Sequence, residues 1–142
     1  MSFSHYWPLL LLCGTNIFYH LSAKETNPKI NVFASLILTY IVSLIICFAM
    51  LYITTDNVDL IAEAHEMNLA TVSLGISIVG LEFGSILMYK FGWDISVGSL
   101  ICNIALAIAL VVLGILLYGE ILTVKTIAGI VCCLTGLVLI NK

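Results

Sequence analysis

Arginine is missing from this chain of 142 residues, proline occurs only twice, and charged side chains make up 9% of it. Soluble domains carry about 25% charged residues, so this scarcity excludes a water-exposed globule as the main body of the protein. The short patterns of common catalytic sites are missing too: there is no H-E-x-x-H, no G-x-S-x-G and no Asp/His cluster. The loops are too short to add a catalytic domain, so neither an enzyme nor a cofactor is expected. Cysteine is present, at Cys13, Cys47, Cys102, Cys132 and Cys133, but without a C-x-x-C pair and always inside apolar sequence. A thiol in that setting packs as a small apolar side chain, and no metal site is expected.

What is abundant is apolar sequence. Hydrophobic residues reach 62% and the mean hydropathy is +1.19. Five apolar stretches, at 6–23, 32–53, 69–90, 95–118 and 121–140, each approach the ~20 residues that span ~30 Å of hydrocarbon. Lipid offers backbone groups no partners, so the stretches are expected to be helices, and their aliphatic runs lack the alternation of barrel strands. The run 9–13 lacks the basic flank and small residues of a cleaved leader, and is expected to remain as the first helix. The expected fold class is an all-α integral membrane protein of five transmembrane helices, forming a single domain over 1–142.

Orientation follows from the lysines. Lys24, Lys29, Lys90 and Lys142 would fall on one side of the membrane and only Lys125 on the other. The positive-inside rule makes the four-lysine side cytoplasmic, which puts the N-terminus outside and the C-terminus inside a cell membrane. The loop 54–68 holds Asp56, Asp59, Glu63 and Glu66 without a cation. Spaced by three and four, these acids would share one face of a short helix, a solvated face or a cation-attracting mouth. His65 would point away from them.

Glu82 is the most informative residue. It stands near the centre of the 69–90 stretch, where an ionisable group costs roughly 2.5–3.5 kcal/mol on insertion scales and usually faces protein or a water-filled path. Gly80 and Gly84 flank it in a G-x-x-x-G arrangement that admits a second helix. Tyr89, seven residues on, lies on nearly the same face, whereas Lys90 at the stretch's end can reach the interface. On the first stretch Cys13, Asn16, Tyr19, His20 and Ala23 make one small or polar face. Ser99, Asn103 and Ala107 do so on the fourth. Glu82, His20, Asn16, Tyr89 and Asn103 are the candidate substrate or proton-binding residues.

The C-terminal part carries a family likeness. Leu117-Tyr-Gly-Glu-Ile-Leu-Thr123, followed by Ile127-Ala-Gly-Ile-Val-Cys-Cys-Leu-Thr-Gly-Leu-Val-Leu-Ile-Asn141, resembles the closing two helices of the drug/metabolite transporter superfamily, including its small multidrug resistance proteins. There a glycine-glutamate pair ends the fourth helix and two glycines seven apart open a face of the fifth. Here these are Gly119 with Glu120, and Gly129 with Gly136. Cys13-Gly-Thr-Asn16 resembles the Trp-Gly-Ser-Asn opening of EamA-type domains, with cysteine in the tryptophan's place. The chain departs from the pattern in lacking a proline midway along the fourth helix, an arginine on the second and a glutamate on the first. Its only glutamate at mid-stretch depth is Glu82.

The resemblance implies one five-helix half of an inverted-repeat transporter, since most members have two such halves with the substrate path between them. It implies a dimeric secondary carrier for a small metabolite or organic cation; proton coupling is expected from Glu82 itself and not from a matched family residue. The partners would be the lipid bilayer, the small-molecule substrate and a second copy or a paralogous half, with no nucleic acid. Gly80, Gly84, Gly129 and Gly136 would serve helix packing or dimerisation. The alternative expectation is a noncatalytic membrane subunit that packs against a larger complex.

Overall fold

The computed structural model describes residues 6–55, 59–121 and 123–140, and every regular element among them is an α-helix. In chain order these are α1 (Trp7–Lys24), α2 (Val32–Thr54), the short α3 (Leu60–His65), α4 (Leu69–Lys90), α5 (Ile95–Tyr118) and α6 (Val124–Ile140).

The helix ends are written in polar residues. Pro8 enters the first turn of α1, where its missing N–H is not needed. The Asn31 side chain opens α2 by accepting from the N–H groups of Phe33 at 2.9 Å and Ala34 at 3.3 Å, and Asn68 opens α4 by accepting from Thr71. Such caps satisfy donors that no preceding turn can serve. Asp59 does the same for α3, accepting from Ile61 at 2.9 Å and Ala62 at 3.4 Å. The expected stripe of four acids on one short helix is therefore corrected: Asp59 is consumed as the cap, Glu66 ends the helix, and Asp56 lies outside the described residues.

Among the described residues, α2, α4 and α5 are long and apolar enough to cross a membrane. The α1 helix has 18 residues but includes Asn16, His20 and Lys24, and α6 has 17. The latter begins three residues later than its apolar run. Gly119, in the left-handed conformation at φ 64°, stops α5, and the Thr123 hydroxyl then caps α6 by accepting from Thr126 N–H at 3.2 Å.

Packing divides the chain into two compact units, Met1–Phe91 and Gly92–Lys142. In the first, α4 packs against both α1 and α2, while α1 and α2 do not pack against each other among the described residues. Ala23, Leu36, Ile86 and Tyr89 are buried there. Phe33 stacks on Phe83 at 4.8 Å, and the Lys90 ammonium donates to the Ile30 carbonyl at 2.7 Å. All these contacts gather where α1 ends, α2 begins and α4 ends. In the second unit α5 packs on α6, and Gly98 and Gly114 are buried.

Candidate functional site

The gap between α1 and α2, floored by α4, holds a cavity of about 120 Å³. Tyr19, Ser22, Ala23 and Thr26 line it from α1 and the residues just after it, Ser35, Leu36 and Thr39 from α2, and Glu82 and Ile86 from α4. The spacings of three and four put each set on one helical face. Glu82 is half-buried and forms part of this wall.

The hydroxyl groups sort into two kinds. Thr26 donates to the Ser22 carbonyl at 3.1 Å, Thr39 to the Ser35 carbonyl at 3.0 Å, and Ser85 to the Leu81 carbonyl at 2.8 Å. Each spends its proton on its own stretch of chain and keeps oxygen lone pairs as acceptors. The tyrosines differ. The Tyr19 hydroxyl lies beside Ser85 and the Tyr40 hydroxyl beside Glu82, and both oxygens are buried without a partner at hydrogen-bonding geometry. No lysine or histidine is among the lining residues. The cavity thus offers one carboxylate, several acceptor oxygens and the Tyr19 phenol, with the Tyr40 hydroxyl beside the carboxylate but outside the lining, a set suited to a proton or a small cation that carries its own donors.

Beside the cavity, the Tyr89 hydroxyl meets His20 Nδ1 at 2.8 Å, bridging α4 to α1. Their rings stand edge to face, Tyr19 packs edge-on against His20, and the Lys24 ammonium lies 5.6 Å from the Tyr89 ring centroid. His20 and Tyr89 are thus brought together next to the carboxylate cavity without lining it. Asn16 is exposed on α1 outside the lining set, and Asn103 is exposed on α5 in the second unit.

The glycines behave differently from their expected use around the acid. A Cβ built at Gly80 or Gly84 meets no atom within 4 Å, and α1 and α2 do the work of covering Glu82. The reason is angular: a residue two positions away on an α-helix lies about 200° round the axis, so glycines at 80 and 84 face away from residue 82. Gly129 and Gly136 are equally open. Gly119 and Glu120 form a helix ending, with Gly119 N–H bonded to the Ile115 carbonyl at 3.2 Å and Glu120 N–H to the Gly114 carbonyl at 3.1 Å. The Glu120 carboxylate folds back onto α5, where a Cβ on Gly114 would stand 2.6 Å from its Oε2.

Sequence reading passed over Tyr40 and the Ser35 and Thr39 wall. A signal was present: Ser35, Thr39 and Ser43 recur every fourth residue along a largely apolar α2, and Ser43 donates to the Thr39 carbonyl at 3.0 Å. Among the described residues no cluster of His, Cys, Asp and Glu is arranged to hold a metal ion. No protein-family model, curated protein or solved structure matches this chain.

Proposed function

We propose that this chain is a five-helix half-transporter of the drug/metabolite type, set in the cell membrane and acting as a dimer to carry a small metabolite or organic cation in exchange for protons. The observation that carries the reading is the cavity itself. Its one lining carboxylate is that of Glu82, and the groups around it are acceptors and tyrosine hydroxyls.

In this mechanism Glu82 holds a proton when substrate is absent and releases it as a cationic or donor-bearing substrate enters. One carboxylate then serves two ligands that exclude each other, and movement of one drives the other as the cavity alternates between the two sides. Tyr19 and Tyr40 stand beside the acid, His20 and Tyr89 hold α1 on α4 next to it, and Asn16 on α1 and Asn103 on α5 are further candidate polar positions, each on its own unit.

Size supports the dimer. Small-molecule sites usually enclose about 300–1,000 Å³, whereas this one measures about 120 Å³, so a second five-helix half, either an inverted copy or a related chain, enlarges and closes it. In this arrangement α1 and α6 also cross the bilayer, giving five spans, with the four-lysine side and the C-terminus in the cytoplasm. Gly80, Gly84, Gly129 and Gly136, open in the single chain, are the close-approach positions for the partner, while Gly119 and Glu120 end α5.

The test is uptake by purified protein in liposomes carrying a proton gradient, screened with small organic cations. Gradient-driven uptake that is absent from protein-free liposomes supports the reading. A chain that forms no transporting species alone or with a related half, yet co-purifies with a larger membrane complex, is a noncatalytic subunit instead.

A further inference from the structure

The carboxylate cavity measures about 120 Å³, room for about four waters at ~30 Å³ each, or for a charged head group and the first carbons of its stem. Among the described residues α1 and α2 do not pack against each other, so the cavity that α4 floors is open along the gap between them, and a longer stem leaves that way. What the walls offer a head group is oxygen. Thr26, just after α1, and Thr39 on α2 spend their protons on the Ser22 and Ser35 carbonyls, at 3.1 and 3.0 Å, and keep lone pairs in the lining, to which Glu82 adds its carboxylate from α4. Tyr19, whose buried hydroxyl oxygen has no partner at hydrogen-bonding geometry, lines the cavity as well.

We infer that the ligand of this cavity is a protonated primary amine and that the site turns away quaternary ammonium ions built on the same stem. This names the substrate class, and it rests on the reading that Glu82 takes a cation.

The reason lies in the donors. A primary ammonium carries three N–H groups and no acceptor, and the cavity meets it with acceptors from three sides: Thr26 at the end of α1, Thr39 on α2 and Glu82 on α4. Each N–H that finds an oxygen replaces a water lost on entry. A quaternary head group keeps the attraction to the carboxylate but has no N–H, so it leaves oxygens stripped of water and unpaired. Sites built to bond a ligand's N–H groups discriminate strongly against analogues that lack them. Recognition of quaternary ammonium uses a cage of aromatic faces instead. Here Tyr19 is the one aromatic side chain in the lining, and the rest is hydroxyl, carboxylate and aliphatic. Volume alone does not separate the two ligands; the polarity of the walls does. A bare alkali ion also takes oxygen ligands, so sodium enters the test as a competitor.

Equilibrium binding to the purified protein tests this without a gradient. Radiolabelled n-butylammonium is the probe, at mildly alkaline pH in sodium-free buffer, and its N-methylated series up to n-butyltrimethylammonium supplies competitors of one stem length. One ordinary hydrogen bond is worth about fivefold in affinity, so the loss of three predicts about a hundredfold weaker binding of the trimethyl compound. Glu82→Gln should abolish binding of the probe. Thr39→Val keeps the side chain's shape and removes an acceptor; it should weaken butylammonium about fivefold and leave the trimethyl compound unchanged, which also shows the fold intact. Thr26→Val repeats the measurement from the α1 side. The inference is overturned by a wild-type protein that does not bind the probe, by probe binding retained in Glu82→Gln, or by a trimethyl compound that binds as tightly as butylammonium. Displacement of the probe by sodium at equal concentration, or a preference undiminished in both valine variants, overturns it too. Selective binding without gradient-driven uptake removes the carrier reading and keeps the amine site, whereas proton-coupled uptake that ignores N-methylation keeps the carrier and removes the amine site.

Discussion

The two units put similar residues to opposite uses. In the first, α1, α2 and α4 turn hydroxyls, Tyr19 and a carboxylate toward a shared cavity, and large side chains such as Leu36 and Tyr89 are buried around it. In the second, the buried positions among the described residues are Gly98 and Gly114, and the polar groups close locally: Ser99 donates to the Ile95 carbonyl of its own helix, while Glu120 folds over Gly114. The contrast teaches where to look for chemistry in an apolar chain. A local hydrogen bond does not by itself separate scaffold from site, since Thr26 and Thr39 also donate within their own stretches; what marks the first unit is that their oxygens and the Glu82 carboxylate line one shared cavity.

That contrast can be broken by substitution, and the largest effect is expected at the seam of the first unit. Tyr89→Ala removes a buried ring and the His20 hydrogen bond together, and should cost about 3 kcal/mol, whereas Tyr118→Ala, at a position 81% exposed, should change stability by less than about 0.5 kcal/mol. Thermal unfolding of the detergent-solubilised protein checks the pair; equal losses would mean that the seam does not hold the unit together.

A smaller effect is expected at the end of α5. Gly119 sits at φ 64°, so Gly119→Ala places a side chain in the left-handed region at about 1 kcal/mol, and the same unfolding measurement resolves it. Smaller still is the expected change in monomer stability from Gly129→Leu with Gly136→Leu, within about 0.5 kcal/mol, because among the described residues a Cβ at either position meets no atom of a neighbouring group within 4 Å. Their readout is assembly. Crosslinked dimer should fall sharply, and an undiminished dimer would remove this face of α6 from the interface.

Much of the helical layout was legible in the residues, and the reasons are local. Asn31, Asn68 and Gly119 are cap residues at the edges of apolar runs, so α2, α4 and α5 begin and end within a residue of the expected bounds. Glu82 stood out as the one acid at mid-stretch. Which face meets which was harder to read, since lipid is as apolar as a helix interface and leaves no amphipathic pattern to follow. That is why Gly80 and Gly84 suggested a helix over Glu82 although they point the other way. It is also why Tyr40 went unnoticed: its value lies in standing beside Glu82, a residue 42 positions away, and no spacing along α2 announces that. Asp59 shows the converse, a residue whose charge suggested a binding stripe and whose position made it a cap.

The central claim is that the first unit does chemistry and that Glu82 carries it. Its most direct test is gradient-driven transport in liposomes across pH 5 to 9, wild type beside Glu82→Gln, with folding and insertion verified for both. The amide keeps the size and hydrogen-bonding capacity of the acid and removes only its ionisation. The account predicts pH-dependent, proton-coupled transport in the wild type and none in the variant; equal transport with the same pH profile in both would contradict it.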